Sequence, residues 1–142
     1  MANGECVRAE SVSERYPERN YDLEERTAVF GEQIIKFLKS IRRDAINSPI
    51  INQLVRSATS IGANYCEGND AESRKDFRHK MALCRKESRE SMYWLRQLSA
   101  AHPERVDDAR KHWKEAKELN LIFSAIIRKV DNNDRDNDPP HS

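Results

Sequence analysis

Apolar residues recur every three or four positions through four long stretches of this chain, and each stretch is closed by residues that interrupt a helix. Such a pattern permits little besides packed helices. In the first stretch Leu23, Thr27, Phe30, Ile34, Phe37, Leu38 and Ile41 share one stripe, which begins near Asp22 as an N-cap and fades after Arg43. Asn47-Ser48-Pro49 then marks a turn and a restart, because Ser can cap a helix and Pro fits its first position. The second helix is expected to run to about Glu67, with Ile50, Ile51, Leu54, Ala58, Ile61 and Tyr65 facing the core and Gly68 closing it as a left-handed C-cap. Ser73 and Asp76 have capping-box spacing at the start of the third helix, which the pattern carries to Ala100. Its inward stripe is read as Phe77, Met81, Cys84, Ser88, Met92 and Leu95, with Leu83, Glu87, Glu90, Trp94 and Leu98 on a mixed flank. His102-Pro103-Glu104 breaks the pattern. A fourth helix resumes near Val106 and presents Ala109, Trp113, Ala116, Leu119, Phe123, Ile126, Ile127 and Val130. No strand pattern competes, and the short connections predict an all-α, antiparallel up-down-up-down four-helix bundle over residues 21–130.

A chain of 142 residues suits one such domain. Residues 1–20 and 131–142 lack apolar periodicity and are expected to be a flexible extension and a disordered acidic tail. The formal net charge of +1 conceals an uneven distribution: residues 1–22 carry −2, residues 131–142 carry −3, and the body between them therefore carries +6. There is no membrane-spanning apolar run and no hydrophobic leader, so the expected location is cytoplasmic. Cys6, Cys66 and Cys84 form no C-x-x-C pair, and the four histidines have no ligand spacing on a predicted helix. No metal and no cofactor are expected.

Two faces stand out from ordinary solvated helix. The run SATSIGANYCEG, residues 57–68, is made largely of short side chains, which suits close packing better than helix propensity. Arg56, Ser60, Asn64 and Glu67 lie along it, and with Glu87, Glu90 and Trp94 of the third helix they are the predicted interface residues, within the bundle or between subunits. Trp94, Leu98 and Leu83 off the main stripe, together with the wide apolar arc of the fourth helix, predict self-association.

The second face is basic. At about 100° per residue, Arg78, Arg85, Arg89 and Arg96 fall into one ladder on the third helix. Arg110, Lys114, Lys117 and Arg128 form another on the fourth, and antiparallel neighbours would merge the two. Four arginines in the tightest part of the stripe suit phosphate or carboxylate contact. Aromatic residues are not read as interleaved with the ladder, so nucleic-acid binding through it should be to the backbone and weakly sequence-selective. No nucleophile, metal set or phosphate-cradling loop accompanies Glu67, Glu87 or Glu90, and these carboxylates read as partners of Arg56 or Arg89 and not as catalytic groups. The chain is expected not to be an enzyme.

Taken in order, YDLEERTAVFGEQIIKFLKSI, LVRSATSIGANYCEG, ESRKDFRHKMALCRKESRES and YWLRQL resemble the four-helix-bundle family of proteins encoded by intervening sequences in bacterial large-subunit ribosomal RNA genes. The resemblance spans about Tyr21 to Val130. That family also resembles the accessory variability protein of diversity-generating retroelements, which partners a reverse transcriptase. The resemblance implies a ring-like homopentamer with a basic surface able to meet nucleic acid. The leading expectation is thus a non-enzymatic oligomer that binds nucleic acid or a nucleic-acid-processing partner such as a reverse transcriptase. The competing expectation is a purely structural protein-protein interaction module whose arginines pair with carboxylates of adjacent subunits.

Overall fold

The computed structural model describes residues 19–138 and residue 140. Four helices follow in chain order: α1 Arg19–Lys39, α2 Asn47–Asn69, α3 Arg74–Ala101 and α4 Val106–Asp136, with a single 3-10 turn, Pro103–Arg105, leading into α4. No strand occurs among the described residues. The pairing is antiparallel throughout. On α1 and α2, Thr27 meets Gly62 while Gly31 meets Thr59; on α2 and α3, Ser57 meets Ser91 while Gly68 meets Met81; on α3 and α4, Arg78 meets Asp131 while Ser88 meets Asn120. α3 packs broadly on both α2 and α4, whereas α1 leans chiefly on α2 and touches α4 lightly. That last seam is closed by Arg26, which forks onto Glu115 at 2.8 and 2.7 Å, and by Phe37, whose ring centre lies 5.0 Å from that of His112.

The core joins Phe30, Ile34, Leu54, Ile61, Met81, Leu95, Leu119 and Phe123 into one apolar cluster. All the inward residues expected on α1 and α2 are buried except Leu23 and Ile50, which pack at its margin. On α3 the stripe is turned toward α2. Leu98, placed on a flank by the sequence pattern, is wholly buried, and so are Ser91 and most of Glu87, while Phe77 and Met92 are only half-buried. The cause is the seam with α2. Ser57 and Ser91 share a 2.9 Å hydrogen bond there, and Ala58 lies buried beside Ser57, so the helices approach closely and draw the α2-facing side of α3 inward.

Helix boundaries depart from the sequence reading in four places. α1 begins at Arg19, so Asp22 lies inside the helix and not at its N-cap, and residues 19–20 of the expected extension are helical. α2 starts at Asn47, organised by Asp44 and not by a Ser48 cap. The Asp44 carboxylate accepts the Ile46 and Asn47 amides at 2.8 Å each, and the buried Asn47 side chain bonds Asp44 N and Arg42 O. Those amide bonds hold the Asp44 carboxyl below the usual range. Gly68 is not a left-handed cap, because no described glycine has positive φ. It lies inside α2, where an added Cβ would come within 2.5 Å of Met81 Cε and 3.1 Å of Lys80 Cβ. Its value is clearance. Finally, α4 runs through residue 130 to Asp136, so the expected acidic tail is helical over 131–136. Asp131 and Asp134 supply the reason: they reach arginines of α3 and tie the extra turns to the bundle. The start of α3 does follow the capping box, with Ser73 Oγ accepting Asp76 N at 3.1 Å. The expected N-terminal extension lies outside the described residues over 1–18.

Candidate nucleic-acid interface

The charges along the α2 edge of α3 and across its outer face are treated differently. Along the α2 edge Arg56 bridges two carboxylates of α3: Nη1 sits 3.1 Å from Glu87 Oε2, and Nη2 bonds Glu90. Burial pushes the Glu87 carboxyl above its ordinary range, against the pull of Arg56. Further along, Glu67 is held by Lys80 Nζ at 2.6 Å. Ser60 Oγ and Asn64 Nδ2 bond carbonyls of α2 itself, those of Arg56 and Ser60. Of the predicted interface residues, Arg56, Glu87 and Glu90 therefore meet within the chain. Trp94 packs half-buried at the core margin.

The small-residue face divides between two neighbours. Ser57 and Gly68 receive α3, while Thr59 and Gly62 receive α1, where a Cβ on Gly62 would stand 3.3 Å from Thr27 Oγ1. Outside that second contact runs an open groove of about 390 Å³ floored by Ala28, Gly31, Thr59 and Ala63 and rimmed by Glu24, Glu25 and Glu32. Cys66 lies beside it, its thiol pushed up to about 11 by burial and the Glu24 carboxylate, and Cys84 in the core is pushed up to about 12 by burial. Neither sulfur is a thiolate at neutral pH.

Across the outer face of α3 the basic ladder separates into paired and unpaired members. Arg78 forks onto Asp131 at 2.6 and 2.9 Å, and Arg74 meets Asp134 at 3.0 Å. Arg78 holds the Asp131 carboxyl below the usual range. Arg85, Arg89 and Arg96 are exposed and have no ion pair among the described residues. Arg85 and Arg89 line an open cleft of about 520 Å³ with Lys86, Tyr93, Trp94 and Glu90 of α3 and Gln53 and Arg56 of α2, so the cleft reaches across the outer face of α3 to α2. Arg96 joins Arg110 and Lys114 at the rim of a neighbouring groove of about 420 Å³, whose floor is Leu95, Val106, Ala109 and Trp113. Lys117 Nζ lies 5.5 Å from the Trp113 ring centre. The two ladders thus merge at Arg96, whereas Arg78 is drawn away and Arg128 lines neither cleft.

Sequence reasoning missed the aromatic component. Tyr93 is 54% exposed and shares the cleft with Arg85 and Arg89. The signal was available, because Tyr93 stands four residues beyond Arg89 and eight beyond Arg85, one and two helical turns along the same side. Asp131 and Asp134 were also missed as partners, since the pattern that located α4 is apolar and ends before them.

A family model described as 23S rRNA-intervening sequence protein matches residues 19–125. The acidic residues that hold Arg74 and Arg78 lie beyond that span. Among solved structures, the crystal structure of a protein with unknown function from the S23 ribosomal protein family of Bacteroides thetaiotaomicron is 26% identical, with a TM-score of 0.67; the match covers 78% of this chain and 99% of that one. No curated protein matches the chain.

Proposed function

Because the chain belongs to the 23S rRNA-intervening sequence protein family, we propose that it binds RNA through the phosphate backbone, using Arg85, Arg89 and Arg96 of α3 with Arg110, Lys114 and Lys117 of α4. One observation carries this reading. Arg26, Arg56, Arg74 and Arg78 all form close ion pairs and Arg110 a looser one, 3.8 Å from Asp107, yet Arg85, Arg89 and Arg96 form none among the described residues. Guanidiniums left without protein partners on one strip are available for bidentate contact with phosphate, and a net positive body brings the polyanion toward them. Contact of this kind positions a nucleic acid without reading its sequence. The role is non-enzymatic, and the carboxylates named above serve as partners of Arg56 and Lys80.

Self-association belongs to the same proposal. The α1–α2 groove, with an apolar floor and acidic rim, and the exposed Val29 and Ile35 of α1 favour a protein partner there. A second copy of this chain, in the ring-like homopentamer that the family resemblance implies, is the first candidate, and a nucleic-acid-processing enzyme such as a reverse transcriptase is the next.

The test of RNA binding is fluorescence anisotropy with a labelled structured RNA. The variant Arg85→Gln/Arg89→Gln/Arg96→Gln should lose most of the affinity, while Arg74→Gln, which removes a paired cation, should lose little. Equal loss in both would mean that net charge alone matters, and binding unchanged in the triple variant would reject the site.

A further inference from the structure

We propose that Tyr93 is a stacking platform for an unpaired base, so that the cleft on α3 prefers single-stranded RNA over duplex. The inference rests on the backbone-binding reading above and adds to it the kind of nucleotide that is held. Tyr93 is a large aromatic with 54% of its surface in solvent, whereas Phe30, Phe37, Tyr65 and Phe123 are buried and Phe77, Trp94 and Trp113 are half-buried. Its ring is fixed from one side: the centroid lies 5.0 Å from that of Trp94 at an interplanar angle of 77°, an edge contact that orients the ring without covering it by a parallel stack. Trp94 is in turn packed against the core. A side chain held in this way loses little further freedom when a base settles on it.

The surrounding charges suit the same ligand. Arg89 lies one helical turn from Tyr93, about 6 Å along the axis, and Arg85 one turn beyond. Lys86 and, from α2, Arg56 complete the cationic wall of the cleft. Glu90 is the one acidic residue lining the cleft among the described residues, and Arg56 already holds it, so its charge is offset locally. Backbone cations beside an exposed ring are the combination by which proteins hold single strands without reading sequence. In a duplex the bases are stacked inside and their faces are out of reach. Only unpaired nucleotides offer both a free base face and a phosphate at this spacing.

The experiment compares three probes of equal length on the full chain: a single-stranded oligoadenylate, the same strand in duplex, and a strand with abasic sites throughout. Tyr93→Ala should weaken binding to oligoadenylate by roughly 5- to 100-fold, the span that base-aromatic stacking covers, and leave the abasic strand unchanged. Tyr93→Phe should bind as wild type. Equal losses on base-bearing and abasic strands would overturn the proposal, as would no loss on either while Arg85→Gln/Arg89→Gln/Arg96→Gln abolishes binding. That second outcome leaves the backbone reading standing. Wild type that binds none of the three probes would sink the backbone reading and this inference together.

Discussion

The α2-facing edge of α3 and its outer face are built from similar residue types and do opposite things. Facing α2, Arg56, Glu87 and Glu90 are matched and the serines Ser57 and Ser91 bond one another. On the outer face, Arg85, Arg89 and Arg96 form no ion pair among the described residues, although Asp131 and Asp134 of α4 were long enough in reach to take Arg78 and Arg74. The lesson concerns where a charge spends its interaction. Paired with a neighbouring helix, it fixes helix against helix; unpaired on the outer face, it can serve a ligand. An exposed pair contributes little to stability in either case, about 0–1 kcal/mol, so the unpaired strip costs the fold almost nothing.

The sharpest way to break this contrast is through the α2 edge. Leu98 is completely buried there, and Leu98→Ala should lower unfolding free energy by about 2–5 kcal/mol in a urea titration. A change near zero would put the α3 stripe back where apolar spacing alone places it. Glu87→Ala should cost less, about 1–3 kcal/mol, because the carboxylate is mostly buried while its partner Arg56 remains about half open to water and can be resolvated. On the outer face, Arg89→Gln should alter stability by no more than about 0.5 kcal/mol in the same assay. A larger loss would show that this arginine belongs to a contact and is not held in reserve.

A fourth variant moves residues from one class to the other. Asp131→Asn/Asp134→Asn releases Arg78 and Arg74 from α4, and the change should fray α4 beyond residue 130 while leaving the rest of the bundle folded and tightening RNA binding. In a salt titration the slope of log affinity should steepen by up to about 1.4, two added contacts at about 0.7 each on a single strand. An unchanged slope would mean that the released arginines do not reach the bound backbone.

The bundle was legible in the sequence because apolar spacing is a local signal, and it located every helix. What it could not locate was decided by partners far away in the chain. Leu98 looked peripheral by angle, yet the Ser57–Ser91 contact turned its side of α3 inward. Gly68 looked like a cap by type, yet it is the space that Met81 needs. The acidic run after residue 130 looked too polar to fold, and it folds through Arg74 and Arg78, more than fifty residues earlier. The candidate site was half legible for the same reason. Helical spacing found the four arginines of the ladder, but only the fold separates Arg78, which is engaged, from Arg85, Arg89 and Arg96, which are not, and only the fold shows Tyr93 standing open among them.

The most direct test of the account is the salt dependence of binding to a single-stranded RNA, wild type beside Arg85→Gln/Arg89→Gln/Arg96→Gln, with circular dichroism confirming equal helicity. Each phosphate neutralised on a single strand contributes about −0.7 to the slope of log affinity against log salt. Three unpaired arginines in contact with the backbone predict a wild-type slope steeper than the variant's by about 2. Two lines of equal slope would contradict it, because the strip would then carry no phosphate contacts.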